Sequence, residues 1–280
     1  MNTATVTADV SRALAEDVGD GDVTAQLIPA SRLAEARVIS RADIVLAGVA
    51  WFDAVFAQLD AQVQVHWHYR DGDRIAADEL ICTLAGNARN ILTGERTALN
   101  FLQLLSGTAT ETRRYVDAVA TTPTRILDTR KTLPGLRHAQ KYAVRCGGGE
   151  NHRLGLFDAV LIKENHIAAA GSLATAVAAA REQQPQLMIE VEVENLEQLD
   201  EALTTSADRA LLDNFTLPAL AAAVEHRNRS GRPDLKLEAS GDVDLTTVAD
   251  IAATGVDYVS VGRLTKNVHA ADLSMRFLGT

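Results

Sequence analysis

Cationic and imidazole side chains are concentrated between Asp128 and Ile167, although the whole chain carries a formal net charge of −10. This segment contains only four carboxylates. A cluster of cations in an acidic protein focuses a local positive potential, which favours binding of a small, strongly anionic molecule such as a phosphate or a carboxylate. The basic and imidazole residues of the segment are Arg130, Lys131, Arg137, His138, Lys141, Arg145, His152, Arg153, Lys163 and His166.

Three consecutive glycines, Gly147 to Gly149, lie inside this segment. Glycine permits positive φ angles and close approach of the backbone to a ligand. A flexible linker would be rich in serine and acidic residues, whereas here Arg145 precedes the glycines and His152 and Arg153 follow them. We therefore interpret the glycine run as an anion-binding loop.

The chain after Thr124 alternates short β-like runs with segments of helical period, a pattern typical of parallel strands with helices outside. The six β-like runs are RILD, DAVLIK, LMIEVEVE, RALLDN, LKLEAS and DYVSVG. In a βα barrel the carboxyl ends of the strands carry the chemistry. The polar residues and the glycine at these ends are Arg130, Lys131, Lys163, Glu192, Glu194, Asp213, Glu238, Ser240 and Gly262.

The run IEVEVE places Glu190, Glu192 and Glu194 on one face, because side chains alternate along a strand. Carboxylates inside a barrel need a metal, hydroxyl groups or cations to offset the cost of desolvation. We expect them to meet such partners in the lumen or at the mouth of the barrel, with Lys131 and Lys163 nearby.

The first half of the chain predicts a separate α+β unit, in which patterns of period two and of helical period follow one another. Residues 11–17 predict a short helix, and the acids from Asp17 to Asp22 predict a structural turn, because the glutamate that ends a calcium loop is absent. The segment GERTALNFLQLLSGTATETRRYVDAV predicts a helix with a stop or break at Gly107. The expected core aromatics are Trp51, Phe52, Phe56 and Trp67.

Composition and motif content exclude several classes of function. The acidic balance argues against nucleic acid and against an anionic membrane surface. The sequence MNTATVTADVSRALAEDV lacks the features of a signal peptide, so a cytoplasmic protein is expected.

Cys82 and Cys146 form no CxxC pair, which disfavours a disulfide framework or a structural zinc site. No GxGxxG, GK[ST], HExxH or GxSxG pattern is present, which leaves cations, carboxylates and glycine backbone for the chemistry.

Several long motifs, in order, resemble the quinolinate phosphoribosyltransferase family of type II phosphoribosyltransferases. They are ALAEDVGDGDVT, GERTALNFLQLLSGTAT, the segment from Asp128 to Ile167, EVEVEN, LLDNF, EASGDV and GVDYVSVGRLTK, and they cover essentially the whole chain. The resemblance implies an α/β fold: an N-terminal α/β sandwich over residues 1–115, to which 266–280 could also belong, and an open βα barrel of fewer than eight strands over 116–265. It implies transfer of a phosphoribosyl group to quinolinate with decarboxylation, in NAD biosynthesis.

The resemblance also implies roles for individual residues. Arg130, His152, Arg153 and Lys163 would bind the carboxylates of quinolinate, and Lys131 and Lys163 would face the pyrophosphate of phosphoribosyl pyrophosphate. Glu192 and Asp213 would hold the ribose hydroxyls and Mg²⁺, directly or through water, while Ser240, Gly241 and Gly262 would cradle the terminal phosphate and Thr129 would also contact substrate. Lys131, Lys163, Glu192 and Asp213 would be the catalytic residues. Arg96 would reach the site of a partner in a homodimer or larger homo-oligomer with shared active sites.

Three alternatives remain at this stage. A paralogue of the same fold, associated with molybdenum transport, shares much of the central motif, although the stretch LIKENHI with Lys163 is closer to the quinolinate enzyme. A barrel aldolase would use Lys163 as a Schiff-base lysine. A non-catalytic protein would bind phosphoribosyl pyrophosphate without turnover. The sequence assigns no role to His138 or His166, for which a structural role is expected.

Overall fold

The computed structural model describes residues 2–278. Contacts between residues divide the chain into two compact units. The first comprises the chain up to Arg113, the segment Thr132–Gly148 and the chain from Thr265 onward, and the second comprises Arg114–Lys131 and Gly149–Leu264. The division expected from the sequence placed 132–148 in the barrel domain, whereas the contacts group this segment with the first unit.

The secondary structure follows the chain in a regular order. The elements are α1 (Thr3–Val18), β1 (Leu33–Ser40), β2 (Ile44–Val45), α2 (Val49–Leu59), β3 (Gln64–Trp67), β4 (Arg74–Ile75), β5 (Leu80–Asn87), α3 (Ala88–Ala118), β6 (Arg125–Leu127), α4 (Arg137–Cys146), β7 (Val160–Ile162), α5 (Glu164–Ala170), α6 (Leu173–Gln183), β8 (Ile189–Val193), α7 (Leu196–Leu203), β9 (Arg209–Asp213), α8 (Leu217–Arg229), β10 (Lys236–Ser240), α9 (Val248–Ala253), β11 (Tyr258–Ser260), α10 (Arg263–Lys266) and β12 (Leu273–Phe277). No helix among residues 2–278 combines the length and the hydropathy needed to cross a bilayer.

The first unit is built on an antiparallel sheet with the strand order β12-β1-β5-β3. Its apolar core joins side chains from this sheet to side chains from α2, α3 and α4. Trp51, Phe52 and Phe56 are fully buried there, and Trp67 packs against them edge-on to Phe52. The predicted α/β sandwich and its aromatic core are confirmed.

Helix α3 runs through Gly107 without interruption, so the predicted stop at this glycine is wrong. A Cβ atom at Gly107 would lie 2.0 Å from the carbonyl oxygen of His269. The glycine is therefore needed because the backbone before β12 packs directly on the helix, and not because the helix ends.

The acids before Gln26 form a structural turn, as predicted. Both Thr24 and Ala25 donate their backbone N–H groups to Asp22 Oδ1 at 2.9 Å, and Thr93 donates its hydroxyl to Asp22 Oδ2 at 2.9 Å. These hydrogen bonds, above all the backbone one from Ala25, lower the pKa of Asp22. The carboxylate thus fixes the chain between α1 and β1.

The second unit contains a six-stranded parallel sheet in the order β6-β11-β10-β9-β8-β7. From β7 onward each strand pairs with the next one along the chain, and β11 returns to pair with β6. Between β6 and β7 no strand pairing occurs within residues 2–278, so the barrel is open. Leu127 forms an isolated parallel bridge with Glu150. The six predicted strands and the open barrel of fewer than eight strands are confirmed.

Candidate active site

The carboxyl ends of the six parallel strands lie at the same end of the sheet and bring the predicted site residues together. Thr129, Arg130 and Lys131 follow β6, and Lys163 follows β7 as the N-cap residue of α5. The other predicted residues at this end are Glu192 of β8, Asp213 of β9, Ser240 and Gly241 at the end of β10, and Gly262 after β11. All of them belong to the second unit.

Lys163 and Glu192 form an ion pair between Nζ and Oε2. The lysine side chain is 47% exposed, whereas the glutamate side chain is 12% exposed. Glu192 therefore presents a largely buried carboxylate near the end of β8 and holds the more exposed lysine ammonium group beside it. This contact confirms the expectation that Glu192 meets the basic segment.

Lys131, Thr129 and Gly262 crowd together at the end of β6. The Lys131 backbone N–H donates to Thr129 Oγ1 at 3.1 Å. A Cβ atom at Gly262 would lie 3.1 Å from Lys131 Cδ and 3.6 Å from Thr129 Oγ1. The absence of a side chain at Gly262 thus lets the Lys131 side chain lie along the chain after β11.

A tight turn after β9 faces the end of β10. Asn214 has a φ of 56°, donates its backbone N–H to the Ser240 carbonyl at 2.9 Å and donates Nδ2–H to Asp213 Oδ2 at 2.8 Å. Gly241 has a φ of 153°, and a Cβ atom there would lie 3.0 Å from Asn214 Oδ1. A cavity of about 330 Å³ opens beside these residues and the start of α8. The turn therefore exposes backbone around Ser240 and Gly241 to a small ligand.

Arg130 and Arg153 are half-buried neighbours. Burial, and after it the nearby Arg130 guanidinium, lowers the pKa of Arg153. The Nε atom of Arg130 is buried without a hydrogen-bond partner among the described residues. Two half-buried guanidinium groups that affect each other electrostatically, one of them with a buried Nε donor that has no partner among the described residues, form a site for an anion with more than one acceptor oxygen.

His152 is held by its backbone and by both ring nitrogens. Asp128, fully buried at the end of β6, accepts the His152 backbone N–H at 2.9 Å and Asn151 Nδ2–H at 2.6 Å. The Arg153 backbone N–H donates to His152 Nδ1 at 2.8 Å. Because Nδ1 accepts a hydrogen bond, Nε2 carries the ring proton. A carboxylate can reach a ring nitrogen of His152 only if the ring turns, and the predicted binding role of this residue stays a prediction.

His152 Nε2 faces a buried polar layer beneath the strand ends. It lies 2.8 Å from Glu190 Oε2 and 3.6 Å from Glu238 Oε1. Glu238 Oε2 accepts from Arg209 Nη1 at 2.8 Å, and the Arg209 guanidinium stacks on the Tyr258 ring at 4.2 Å from its centroid. We call Glu190, Arg209, Glu238 and Tyr258 the buried layer. On β8 and β10 it lies two residues before Glu192 and Ser240.

The carboxyl groups of Glu190 and Glu238 lie beside each other in this layer, with ligand oxygens within 4.8 Å of one another. Both are fully buried, and each carries an oxygen that no other hydrogen-bond donor among the described residues reaches. Burial, and after it the neighbouring Glu190 carboxylate, raises the pKa of Glu238 to about 7. Burial likewise raises the pKa of Glu190. Two carboxylates this close cannot both ionise easily, so one proton between them is the stable arrangement.

The ligand atoms of His152, Glu190 and Glu238 lie within 4.8 Å of one another, the spacing of a metal site. Two features argue against a metal here. Nε2 of His152 carries a proton and therefore offers no lone pair. Arg209 already occupies one oxygen of Glu238. The group is better described as a hydrogen-bonded cluster.

Other residues singled out by the sequence lie elsewhere or act structurally. Arg96 is an exposed residue of α3 in the first unit, and its assignment to the site rests on the resemblance alone. His166 Nδ1 accepts the Lys163 backbone N–H at 3.0 Å, which confirms the expected structural role. His138 is exposed in the first turn of α4.

The glycine run has a packing explanation. A Cβ atom at Gly147 would lie 2.4 Å from the Ala109 carbonyl oxygen in α3, and Gly148 has a φ of 87°. Close packing on a helix and a tight turn therefore account for both residues without a bound anion.

Sequence reasoning missed Asp128, Arg209 and Tyr258 as parts of the site. For Arg209 the signal was present, because it lies on the same strand face as Asp213 in the run RALLD. Its separation of four residues from Asp213 places it two pleats deeper in the barrel.

Two protein-family profiles together cover most of the chain. Residues 22–106 match "Quinolinate phosphoribosyl transferase, N-terminal domain", and residues 108–276 match "Quinolinate phosphoribosyl transferase, C-terminal domain". Among individual proteins, the nicotinate-nucleotide pyrophosphorylase (carboxylating) of Mycobacterium leprae is 44% identical over 273 residues, which cover 95% of this chain and 95% of that protein. A probable enzyme of the same name from Synechocystis is 44% identical over 266 residues, which cover 95% of this chain and 90% of that protein.

Solved structures extend this similarity to the fold. The nicotinate-nucleotide pyrophosphorylase from Francisella tularensis superimposes with a TM-score of 0.96 and 46% identity, covering 99% of this chain and 98% of that one. NadC from Streptococcus pyogenes superimposes with a TM-score of 0.94 and 39% identity, covering 100% of this chain and 99% of that one.

Proposed function

Because the chain belongs to the quinolinate phosphoribosyltransferase family, we propose that it is an enzyme of NAD biosynthesis that transfers the phosphoribosyl group of 5-phosphoribosyl 1-pyrophosphate to quinolinate. The products are nicotinate mononucleotide, pyrophosphate and carbon dioxide. The observation that carries the proposal is the pair of half-buried guanidinium groups of Arg130 and Arg153. Within residues 2–278, the buried Nε atom of Arg130 has no hydrogen-bond partner. A pyridine dicarboxylate supplies the missing acceptors.

Quinolinate is bound through its two carboxylates. Arg130 and Arg153 take one carboxylate each or share them, and Lys163 at the end of β7 adds a mobile positive charge. Holding both carboxylates fixes the orientation of the pyridine ring and directs its nitrogen toward the anomeric carbon of the phosphoribosyl donor. Nicotinate lacks the carboxylate next to the nitrogen and loses half of these contacts.

The phosphoribosyl donor is bound across the other strand ends. The backbone around Ser240, Gly241 and Gly262 receives the terminal phosphate, since Ser240 and Gly241 line a cavity and Gly262 has no side chain beside Lys131. Lys131, which lies against Gly262, and Lys163 face the pyrophosphate. Glu192 and Asp213 accept the ribose hydroxyls.

Glu192 and Asp213 also fit a magnesium ion. They end the neighbouring strands β8 and β9, both are partly exposed, and carboxylate oxygens are ligands that Mg²⁺ accepts beside substrate oxygens and water. When bound, Mg²⁺ offsets the negative charge of the pyrophosphate. Glu192 must exchange its contact with Lys163 for the ion or the ribose, which frees the lysine for the substrates.

The chemistry needs no nucleophile from the protein. The clamped pyridine nitrogen attacks the anomeric carbon while Lys131 and Lys163 stabilise the departing pyrophosphate. Once the nitrogen carries positive charge, the adjacent carboxylate leaves as carbon dioxide, because the electron pair left on the ring carbon is stabilised by that charge. A proton then replaces the lost carboxyl group.

The assembly and the location are further parts of the proposal. Arg96, exposed on α3, completes the quinolinate site of a second copy in a homodimer. This assignment rests on the resemblance in the motif GERTALNFLQLLSGTAT. A cytoplasmic location rests on the sequence alone.

The decisive experiment is an ultraviolet assay with quinolinate, phosphoribosyl pyrophosphate and Mg²⁺, run in parallel with nicotinate as acceptor. We expect nicotinate mononucleotide and carbon dioxide from quinolinate, and no turnover of nicotinate. Folded protein that turns over neither acceptor contradicts the proposal. Binding of phosphoribosyl pyrophosphate without turnover would indicate the non-catalytic alternative.

A further inference from the structure

The buried layer links four strands of the barrel to the loop that carries Arg153. Tyr258 of β11 stacks on Arg209 of β9, and Arg209 donates to Glu238 of β10. A carboxylate oxygen of Glu238 lies within 4.8 Å of one of Glu190 of β8. Glu190 faces His152 Nε2 at 2.8 Å. His152 in turn accepts the Arg153 backbone N–H through Nδ1 at 2.8 Å. A continuous set of polar contacts thus runs from the centre of the sheet to the backbone of Arg153.

Packing alone does not account for these residues. A fully buried carboxylate is costly unless it is paired, and apolar side chains of similar volume would fill the same space without that cost. His152 Nε2 lies 2.8 Å from Glu190 Oε2 and 3.6 Å from Glu238 Oε1, and these oxygens have no other hydrogen-bond partner among residues 2–278. Such an arrangement fixes the orientation of the imidazole, since only the Nε2–H form places its donor toward the carboxylates and its acceptor toward the backbone.

We propose that Glu190 and Glu238 are positioning residues for quinolinate binding: anchored by Arg209, they hold the His152 ring in its Nε2–H form, and this ring fixes the backbone from which Arg153 reaches the substrate. The kinetic part of this inference rests on the proposed function. The larger effect is expected on quinolinate, because His152 Nδ1 accepts the backbone N–H of Arg153, which binds quinolinate.

Glutamine substitutions test this arrangement, because an amide can replace one carboxyl of the pair but not both. In Glu238→Gln the amide oxygen still accepts from Arg209 and the amide N–H donates to Glu190, which remains an acceptor for His152. In the double variant Glu190→Gln/Glu238→Gln, two NH₂ groups meet and no carboxylate is left to accept them. We expect the quinolinate KM to rise about threefold or less in each single variant and at least about tenfold in the double variant, with the KM of phosphoribosyl pyrophosphate within about threefold.

The matched control is Glu150→Gln, which makes the same substitution in the same unit, at a side chain that pairs with Arg125 and is 42% exposed. We expect it to leave both KM values unchanged. Equal KM changes for the two substrates in the double variant, or a double variant no worse than the singles, would overturn the proposal. Circular dichroism and thermal melting establish whether each variant is folded.

A spectroscopic measurement keeps the inference testable without activity. In ¹⁵N-histidine-labelled protein without ligand, the resonances that disappear in His152→Asn are assigned to His152. In the wild-type spectrum these resonances should show a protonated Nε2 and an unprotonated Nδ1. We expect Glu238→Leu to shift the His152 signals away from this pattern and Glu238→Gln to retain it. A wild-type His152 protonated at Nδ1 refutes the inference even if the enzyme is active. Inactive wild-type protein with the expected tautomer refutes only the proposed function.

Discussion

Replacing Glu192 by alanine should separate its role in catalysis from its role in stability. The carboxylate is 12% exposed and its partner Lys163 is 47% exposed, so the ion pair is screened by water and contributes at most about 1 kcal/mol to the free energy of unfolding. For a chain of this size such a loss lowers the melting temperature by less than about 4 °C. A carboxylate that accepts hydrogen bonds from the ribose contributes about 1.5–3 kcal/mol, which corresponds to about a 10- to 150-fold loss of kcat/KM for phosphoribosyl pyrophosphate.

The ultraviolet assay measures this effect when each substrate is varied in turn at saturating concentration of the other. The expected result is a larger rise in KM for phosphoribosyl pyrophosphate than for quinolinate. Glu194→Ala is the matched control, since Glu194 lies on the same strand face two residues later but is exposed. The reasoning is refuted if both substrates are affected equally, or if the melting temperature falls by much more than 4 °C, which would show that Glu192 acts through the fold.

Three further predictions concern the assembly, the packing and the pH dependence. Arg96→Ala and Lys163→Ala should each lower activity at least about 100-fold. When the two variants are mixed in equal amounts and exchange subunits, half of the dimers hold one intact site, so about a quarter of the wild-type activity should return. No recovery in verified mixed dimers would contradict shared sites. Gly107→Ala should lower the free energy of unfolding in urea by about 1–3 kcal/mol, because the alanine Cβ would contact the His269 carbonyl oxygen. This loss is expected although alanine has the better helix propensity. An unchanged free energy would show that this contact relaxes easily. Because the folded-state pKa of Glu238 is raised to about 7, its contribution to stability is fully present below the unfolded-state value of 4.5. This contribution, at most about 3 kcal/mol, is lost as the pH rises through 7, and Glu238→Gln should flatten the slope of stability against pH between 4.5 and 7. An unchanged slope would mean that Glu238 does not titrate there.

The repeating part of the fold could be read from the sequence. Each barrel strand combines a short apolar run with a polar residue at its carboxyl end, and local patterns of this kind follow from the alternation of side chains in a strand and from the period of a helix. The same alternation correctly placed Glu192 beside the basic segment, because the end of β8 can face only the barrel mouth. The order of the motifs along the chain also indicates the family.

The contacts between distant segments could not be read in this way. Gly107 looks like a helix stop in the sequence, because nothing nearby shows that the backbone around His269 packs against it. One of the two partners of β1 is β12, more than two hundred residues later along the chain, and no local pattern encodes that antiparallel pairing. The buried layer was missed for a related reason. A charged residue such as Arg209 within a strand is ordinarily at the surface, and only the barrel shows that Glu238 and Tyr258 surround it.

The course of the chain through the two units limits how the protein can be divided. The first unit draws on three separate stretches of sequence and the second on two. A fragment ending near residue 115 would therefore lack both α4 and β12, leaving the edge of β1 without its partner strand and part of the apolar core uncovered. An exposed β edge of this kind is prone to pair with other chains and aggregate. Expression of either half alone should give insoluble material, and the gene is better regarded as encoding one cooperative folding unit than two separable modules.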